Sequence, residues 1–241
     1  MEGSNPQFAN TLRRIMVSEI PVLAIEYVDF NINESVLYNE VIAHRLGLMP
    51  LIFNPKDFKF KVEGKGGSQY EAVFAINKKG AGMVYAKDMK SSNPEVKPVF
   101  DDTPIVELFG EQKLKLEAVA SLGLGKNHAK YQAANTYYRY YPVVKLNGKI
   151  KNAEEVMKVC PKNVLKIGGN KVFVTKDCDM CQECVKVAEP KGVLEVSGDP
   201  TKFIFYVESI SGLDAEQIIL SSVDILKKKA KDFQKELMKL K

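Results

Sequence analysis

The sequence predicts an α+β fold in which the two ends of the chain form one discontinuous domain around an inserted β-rich region. Three observations carry this. Residues 6–50 read as helix, strand and helix; residues 58–120 hold short strand patterns broken by Gly, Asn, Asp and Pro; residues 219–240 repeat apolar side chains at helical spacing.

The first helix starts at Asn5-Pro6, because Asn can accept from free backbone N–H groups and Pro at the first helical position gives up no hydrogen bond. Phe8, Leu12, Ile15 and Met16 then share a stripe until Pro21 stops the run. Residues 22–32 read as a strand. Ser35 is placed to cap a second helix in which Leu37, Val41, Ile42 and Leu46 share a face, with Gly47, Leu48 and Pro50 supplying a left-handed stop and a breaker. Strands follow over 58–63, 70–76, 83–86, 105–109 and 113–120. The phrase GLGKNHAKYQ at 123–132 lacks GxxxxGK[ST], so it reads as a connecting loop rather than a phosphate cradle. Tyr137, Tyr138, Tyr140 and Tyr141 read as packing residues. Residues 164–167 and 171–174 flank Gly168-Gly169-Asn170 as a hairpin.

At the C-terminus Ile219, Val223, Leu226, Ala230, Phe233, Leu237 and Leu240 alternate spacings of four and three, a seam suited to pairing with another helix. The first helix of the same chain or a partner subunit could cover it, and a seam this narrow favours the partner. The basic tail LKKKAKDFQKELMKLK reads as a solvated helix face.

With 241 residues, 45% of them hydrophobic and 27% charged, the chain has ordinary globular composition, and its net charge of +5 does not demand a nucleic-acid partner. No run reaches the roughly 18 apolar residues that span a bilayer, and no export signal is seen, so a cytoplasmic protein with no membrane contact is expected. The two histidines, His44 and His128, sit in no catalytic motif; His44 reads as a packed or hydrogen-bonded helix residue rather than a base, and no active site is expected in this chain.

The four cysteines are spaced as Cys160-Pro161, then Cys178-x2-Cys181-x2-Cys184. Two-cluster ferredoxins carry C-x2-C-x2-C-x3-C-P twice, the fourth cysteine of each run serving the other cluster. Cys160 with Cys178, Cys181 and Cys184 would therefore ligate one [4Fe-4S] cluster, with a [3Fe-4S] form or zinc as alternatives. The second cluster's positions hold Ile150, Ala153, Val156 and Ala188, which would pack instead. The cluster's role would be structural or assembly-regulating; a ferredoxin-like electron-transfer or redox-sensing protein is the rival.

The wording of the chain adds a resemblance. PQFANTLRRIMVSEIP, then YNEVIAHRLGLMPL, GLGKNHAKYQ and FYVESISGL stand in the same order as in the alpha-like assembly subunit, the D subunit, of archaeal DNA-directed RNA polymerases, a family related to the bacterial alpha subunit. The resemblance implies an alpha-like dimerisation domain over 1–50 and 200–241. Alongside the resemblance, the strand patterns read as a β-rich insert over 51–145 and 190–199, and the cysteine spacing as a ferredoxin-like lobe over 146–189. The resemblance implies a heterodimer with a small alpha-like partner, the L subunit, forming a platform for further small assembly subunits and the large catalytic subunits, with DNA reached only through the complex. Phe8, Leu12, Ile15, Ile219, Val223, Leu226, Phe233 and Leu237 would face partners, and Arg13 and Arg14 would make polar contacts to a large subunit. The family also has a strand before Glu2-Gly3, so either Met1 is an internal methionine, the preferred reading, or this version lacks an edge strand.

Overall fold

The computed structural model describes residues 1–62, 67–168 and 171–239. The elements, in order, are α1 (Pro6–Ser18), β1 (Pro21–Asn33), α2 (Asn39–Gly47), β2 (Leu51–Ile52), β3 (Glu71–Lys79), β4 (Gly82–Tyr85), β5 (Lys90–Ser91), β6 (Lys97–Pro98), β7 (Pro104–Leu108) and β8 (Lys113–Leu124). There follow β9 (Ala134–Leu146), α3 (Ala153–Lys158), β10 (Leu165–Gly168), β11 (Lys171–Val174), α4 (Glu183–Val187), β12 (Leu194–Ser209) and α5 (Ala215–Lys239). They form two compact units: Met1–Thr11 with Tyr137–Tyr206, and Leu12–Thr136 with Val207–Lys241.

The second unit is built on a sheet of order β1-β8-β3-β5. Strand β8 is its spine, antiparallel to β1 (Ile25 opposite Ala120) and to β3 (Phe74 opposite Ala118). Alternation explains its placement: Leu114, Leu116, Ala118 and Ala120 point into the core while Lys113, Lys115 and Glu117 point out. Beyond Ala120 the strand continues to Leu124 with Ser121, Leu122 and Gly123 all buried, so the period of two disappears where both faces are covered.

In the first unit β9 and β12 form a two-stranded ribbon and β10 pairs with β11 from Leu165 opposite Val174 to Gly168 opposite Lys171. The expected turn residues Gly169 and Asn170 lie outside the described residues. A small apolar cluster gathers Ile150, Val156, Leu165, Ala188, Val193 and Leu194, with Ala153 packed against it. In the tyrosine run Tyr137, Tyr138 and Tyr140 make ring contacts, while Tyr137 and Tyr141 remain exposed. Tyr137 stacks on Tyr206 at 4.7 Å and Tyr138 sits edge-on to Phe203 at 5.5 Å.

Several local expectations are corrected. The Ser35 hydroxyl donates to Asn33 Oδ1 at 2.6 Å, which ties it into a turn, and α2 begins only at Asn39, leaving Leu37 outside it. Gly47 belongs to α2, and the capping residue is Leu48 in right-handed conformation, so no left-handed stop is made. Residues 58–62 form no strand; the Lys59 N–H donates to the Gln69 carbonyl, and residue 63 lies outside the described residues.

Candidate interaction surface

The loop before α5 is fixed tightly. The Ser209 hydroxyl donates to the Leu213 carbonyl at 2.6 Å, and the Ser211 N–H donates back to Ser209 Oγ. A Cβ on Gly212 would stand 1.8 Å from the Leu51 carbonyl oxygen, so only glycine admits this approach. Gln217 Oε1 accepts from the Asp214 N–H at 3.1 Å and closes the first turn.

The helix that follows has two different faces. Ile218 and Ser222 are fully buried, and farther along the same side the Lys229 ammonium reaches Glu19 at 2.5 Å. The predicted seam lies about a quarter-turn away, since successive residues advance by roughly 100°. Along it Ile219 is 42% exposed, Val223 and Leu226 are half-buried, and Phe233 and Leu237 are 67% and 48% exposed. The seam's last member, Leu240, lies outside the described residues. Every described residue from Lys227 to Lys239 is exposed. Sequence reasoning located the seam; it missed that a neighbouring set, one residue earlier, is the buried one.

In α1 the Asn5 side chain accepts from the Phe8 N–H at 2.8 Å, the cap expected there. Leu12 and Ile15 are buried within the chain, whereas Phe8 and Arg14 are exposed and Arg13 is half-buried.

The four cysteines line one small cavity, of 20 Å³. That is room for about one water. Cys181 is exposed and Cys160 is half-buried. Burial raises the Cys160 pKa, but hydrogen bonds from the N–H groups of Val164, Lys162, Leu165 and Asn163 outweigh this and hold it below the ordinary value. Cys184 packs against the apolar cluster and is pushed up, first by burial and then by the neighbouring thiols. Among the described residues no group of three or more His, Cys, Asp or Glu side chains is arranged to hold a metal ion. The expected [4Fe-4S] cluster, and with it the [3Fe-4S] and zinc alternatives, is corrected on that ground: Cys160, Cys178, Cys181 and Cys184 stand as free cysteines. The electron-carrier reading loses its cofactor.

Both histidines border one cavity of 180 Å³ together with Glu26 and Lys130. His44 is exposed on α2. His128 Nδ1 accepts from the Lys130 N–H at 3.1 Å. Beside them the Lys130 ammonium meets Glu26 at 2.5 Å, and the Tyr131 hydroxyl also donates to Glu26. Burial alone would raise the Glu26 pKa; the hydrogen bonds and the Lys130 charge hold it below the usual carboxylate value. Sequence reading missed this knot, although Lys130 and Tyr131 stand in the GLGKNHAKYQ phrase. Its function is to pin that phrase to β1.

Residues 28–143 match the RNA polymerase Rpb3/RpoA insert domain, which makes the chain similar to the alpha-like components of that enzyme. DNA-directed RNA polymerase subunit Rpo3 of Methanosphaera stadtmanae is 37% identical over 243 residues, covering 95% of this chain and 90% of the relative. The Rpo3 subunit of Pyrococcus horikoshii is 36% identical, covering 100% and 93%, and that of Archaeoglobus fulgidus is 34% identical, covering 98% and 91%. The chain belongs to the Rpo3 family of archaeal DNA-directed RNA polymerase subunits. These relatives are named for a polymerase subunit and for no iron-sulfur protein, which accords with the four free cysteines. Among the described residues no helix is long and apolar enough to cross a membrane.

Proposed function

We propose that this chain is a non-catalytic assembly subunit of a multisubunit RNA polymerase. In this reading it heterodimerises with a small alpha-like partner, the L subunit, and the pair is the cytoplasmic platform for the large catalytic subunits. The observation that carries it is the seam of α5, which leaves Phe233 and Leu237 exposed on a helix that outlasts its intramolecular packing. A soluble monomer has no use for such a stripe, whereas helix pairing between subunits consumes it. Ile219, Val223, Leu226, Phe233 and Leu237 would face the partner helix, joined by Phe8 from α1. Leu12 and Ile15 would hold α1 in place from beneath, and Arg13 and Arg14 would serve a large subunit.

The test is co-expression with the small alpha-like subunit of the same organism, followed by light scattering on the purified material. A one-to-one complex is expected, lost in Phe233→Asp. A chain that stays alone at high micromolar concentrations of both proteins would defeat the proposal.

A further inference from the structure

Charge on α5 is distributed unevenly about the seam. The exposed stretch 227–239 carries six lysines, at 227, 228, 229, 231, 235 and 239, against two carboxylates, Asp232 and Glu236. Four of the six lysines have ion-pair partners within the chain: Lys229 with Glu19 at 2.5 Å, Lys239 with Glu236 at 2.7 Å, and Lys235 with Asp232 and Lys227 with Asp224, each at 3.8 Å. On the side of the seam away from the buried face stand Lys227 and Lys231. Lys227 has only Asp224 at 3.8 Å, both side chains largely in water, and Lys231 has no ion pair among the described residues. Over 227–239 the outer flank thus holds Lys227 and Lys231 and no carboxylate, its nearest being Asp224 a turn earlier, while on the inner flank Lys229 is paired with Glu19.

Flanking charges decide partner choice in paired helices, because they come within a Debye length of their counterparts while the apolar seam itself is indifferent to identity. Two copies of this chain related by a twofold axis perpendicular to α5 would pack it antiparallel and set like flank against like flank. With that axis near residue 229, Lys227 of one copy would meet Lys231 of the second.

We infer that the outer flank of α5 is a specificity device: Lys227 and Lys231 select a partner whose facing helix is bordered by carboxylates, and reject a second copy of this chain. The inference rests on the heterodimer reading above and adds the chemistry of the partner to it. It makes binding electrostatic in selectivity and apolar in adhesion, so association weakens as salt is raised.

The experiment uses the full chain and the small alpha-like subunit of the same organism, with Kd measured at 50 and 500 mM salt on the order of the range where screening changes most. Three variants are compared: Lys227→Glu/Lys231→Glu, Lys227→Gln/Lys231→Gln, and Phe233→Ala. Far-UV circular dichroism checks that α5 is intact in each. The charge reversal is expected to weaken binding at least roughly ten-fold at low salt, with the gap closing at high salt. The glutamine pair is expected to fall between and, alone in solution, to self-associate at concentrations where the natural chain stays monomeric. If Phe233→Ala weakens the complex while neither lysine pair changes Kd or self-association, charge selection is overturned and the heterodimer reading survives. If none of the three changes Kd, the seam is not the interface and both fall.

Discussion

Ile218 and Ile219 are the same residue one step apart on one helix, yet the first is 0% and the second 42% exposed. The side of α5 holding Ile218 and Ser222 belongs to the chain's own core. The side holding Ile219, Phe233 and Leu237 belongs to none of it. The longest apolar repeat in a helix is thus not the one the chain buries for itself. The inner set is short because its last contact, Lys229 to Glu19, falls just beyond the end of α1, and nothing of the second unit's core continues past it. The seam, longer and more regular, is the set a separate helix would need.

The severest challenge to this contrast is Ile218→Ala. Removing a fully buried isoleucine side chain costs about 2–5 kcal/mol, and urea unfolding of the isolated chain should show a loss in that range. A loss under about 0.5 kcal/mol, the size of an ordinary surface change, would mean that the inner face is no core at all. Ser222→Leu should cost less, about 1–3 kcal/mol from overpacking, since Ser222 is fully buried and its hydroxyl donates to the Ile219 carbonyl at 2.7 Å. A leucine that stabilises the chain would reveal unfilled space on the inner face and blur the line between the two sides.

How far these faces could be read beforehand depends on whether the determinants are local. The Asn5-Pro6 helix start, the pairing of β10 with β11 and the alternation of β8 through Ala120 were all legible, because each is decided by residues within a few positions. The far end of β8 was not, since Ser121 to Gly123 are buried on both sides and carry no period. Ser35 has the right chemistry for a cap but found Asn33 first. The cysteine spacing matched a ligand pattern, yet spacing fixes only what a chain can reach. In the folded chain the four thiols stand free, and among the described residues they are not arranged to hold a metal ion. Which of two overlapping stripes on α5 turns inward depends on Glu19 and the core beneath it, roughly two hundred residues away in sequence, and no window along the helix contains that information.

A smaller effect probes the boundary between the faces. Glu19→Gln removes the charge opposite Lys229, where both side chains remain partly in water. Such pairs contribute about 0.2–1 kcal/mol, and the loss should fade as salt rises toward about 1 M, where the screening length is near 3 Å. A loss that persists at high salt would show that Glu19 holds the helix by packing rather than by charge.

The smallest expected effect carries the most weight. In the isolated chain Phe233→Ala should change stability by no more than about 0.5 kcal/mol, because the ring is 67% exposed. Alanine also has the higher helix propensity, by up to about 0.7 kcal/mol, so thermal unfolding could even move slightly upward. The same substitution in the assembled heterodimer should be costly, since a truncated aromatic anchor at the centre of an interface commonly costs more than about 1 kcal/mol. A phenylalanine that stabilises nothing in its own chain and much in the complex is kept for the complex. If Phe233→Ala instead destabilised the free chain as Ile218→Ala does, the two faces would be one core, and the asymmetry between Ile218 and Ile219 would have no bearing on assembly.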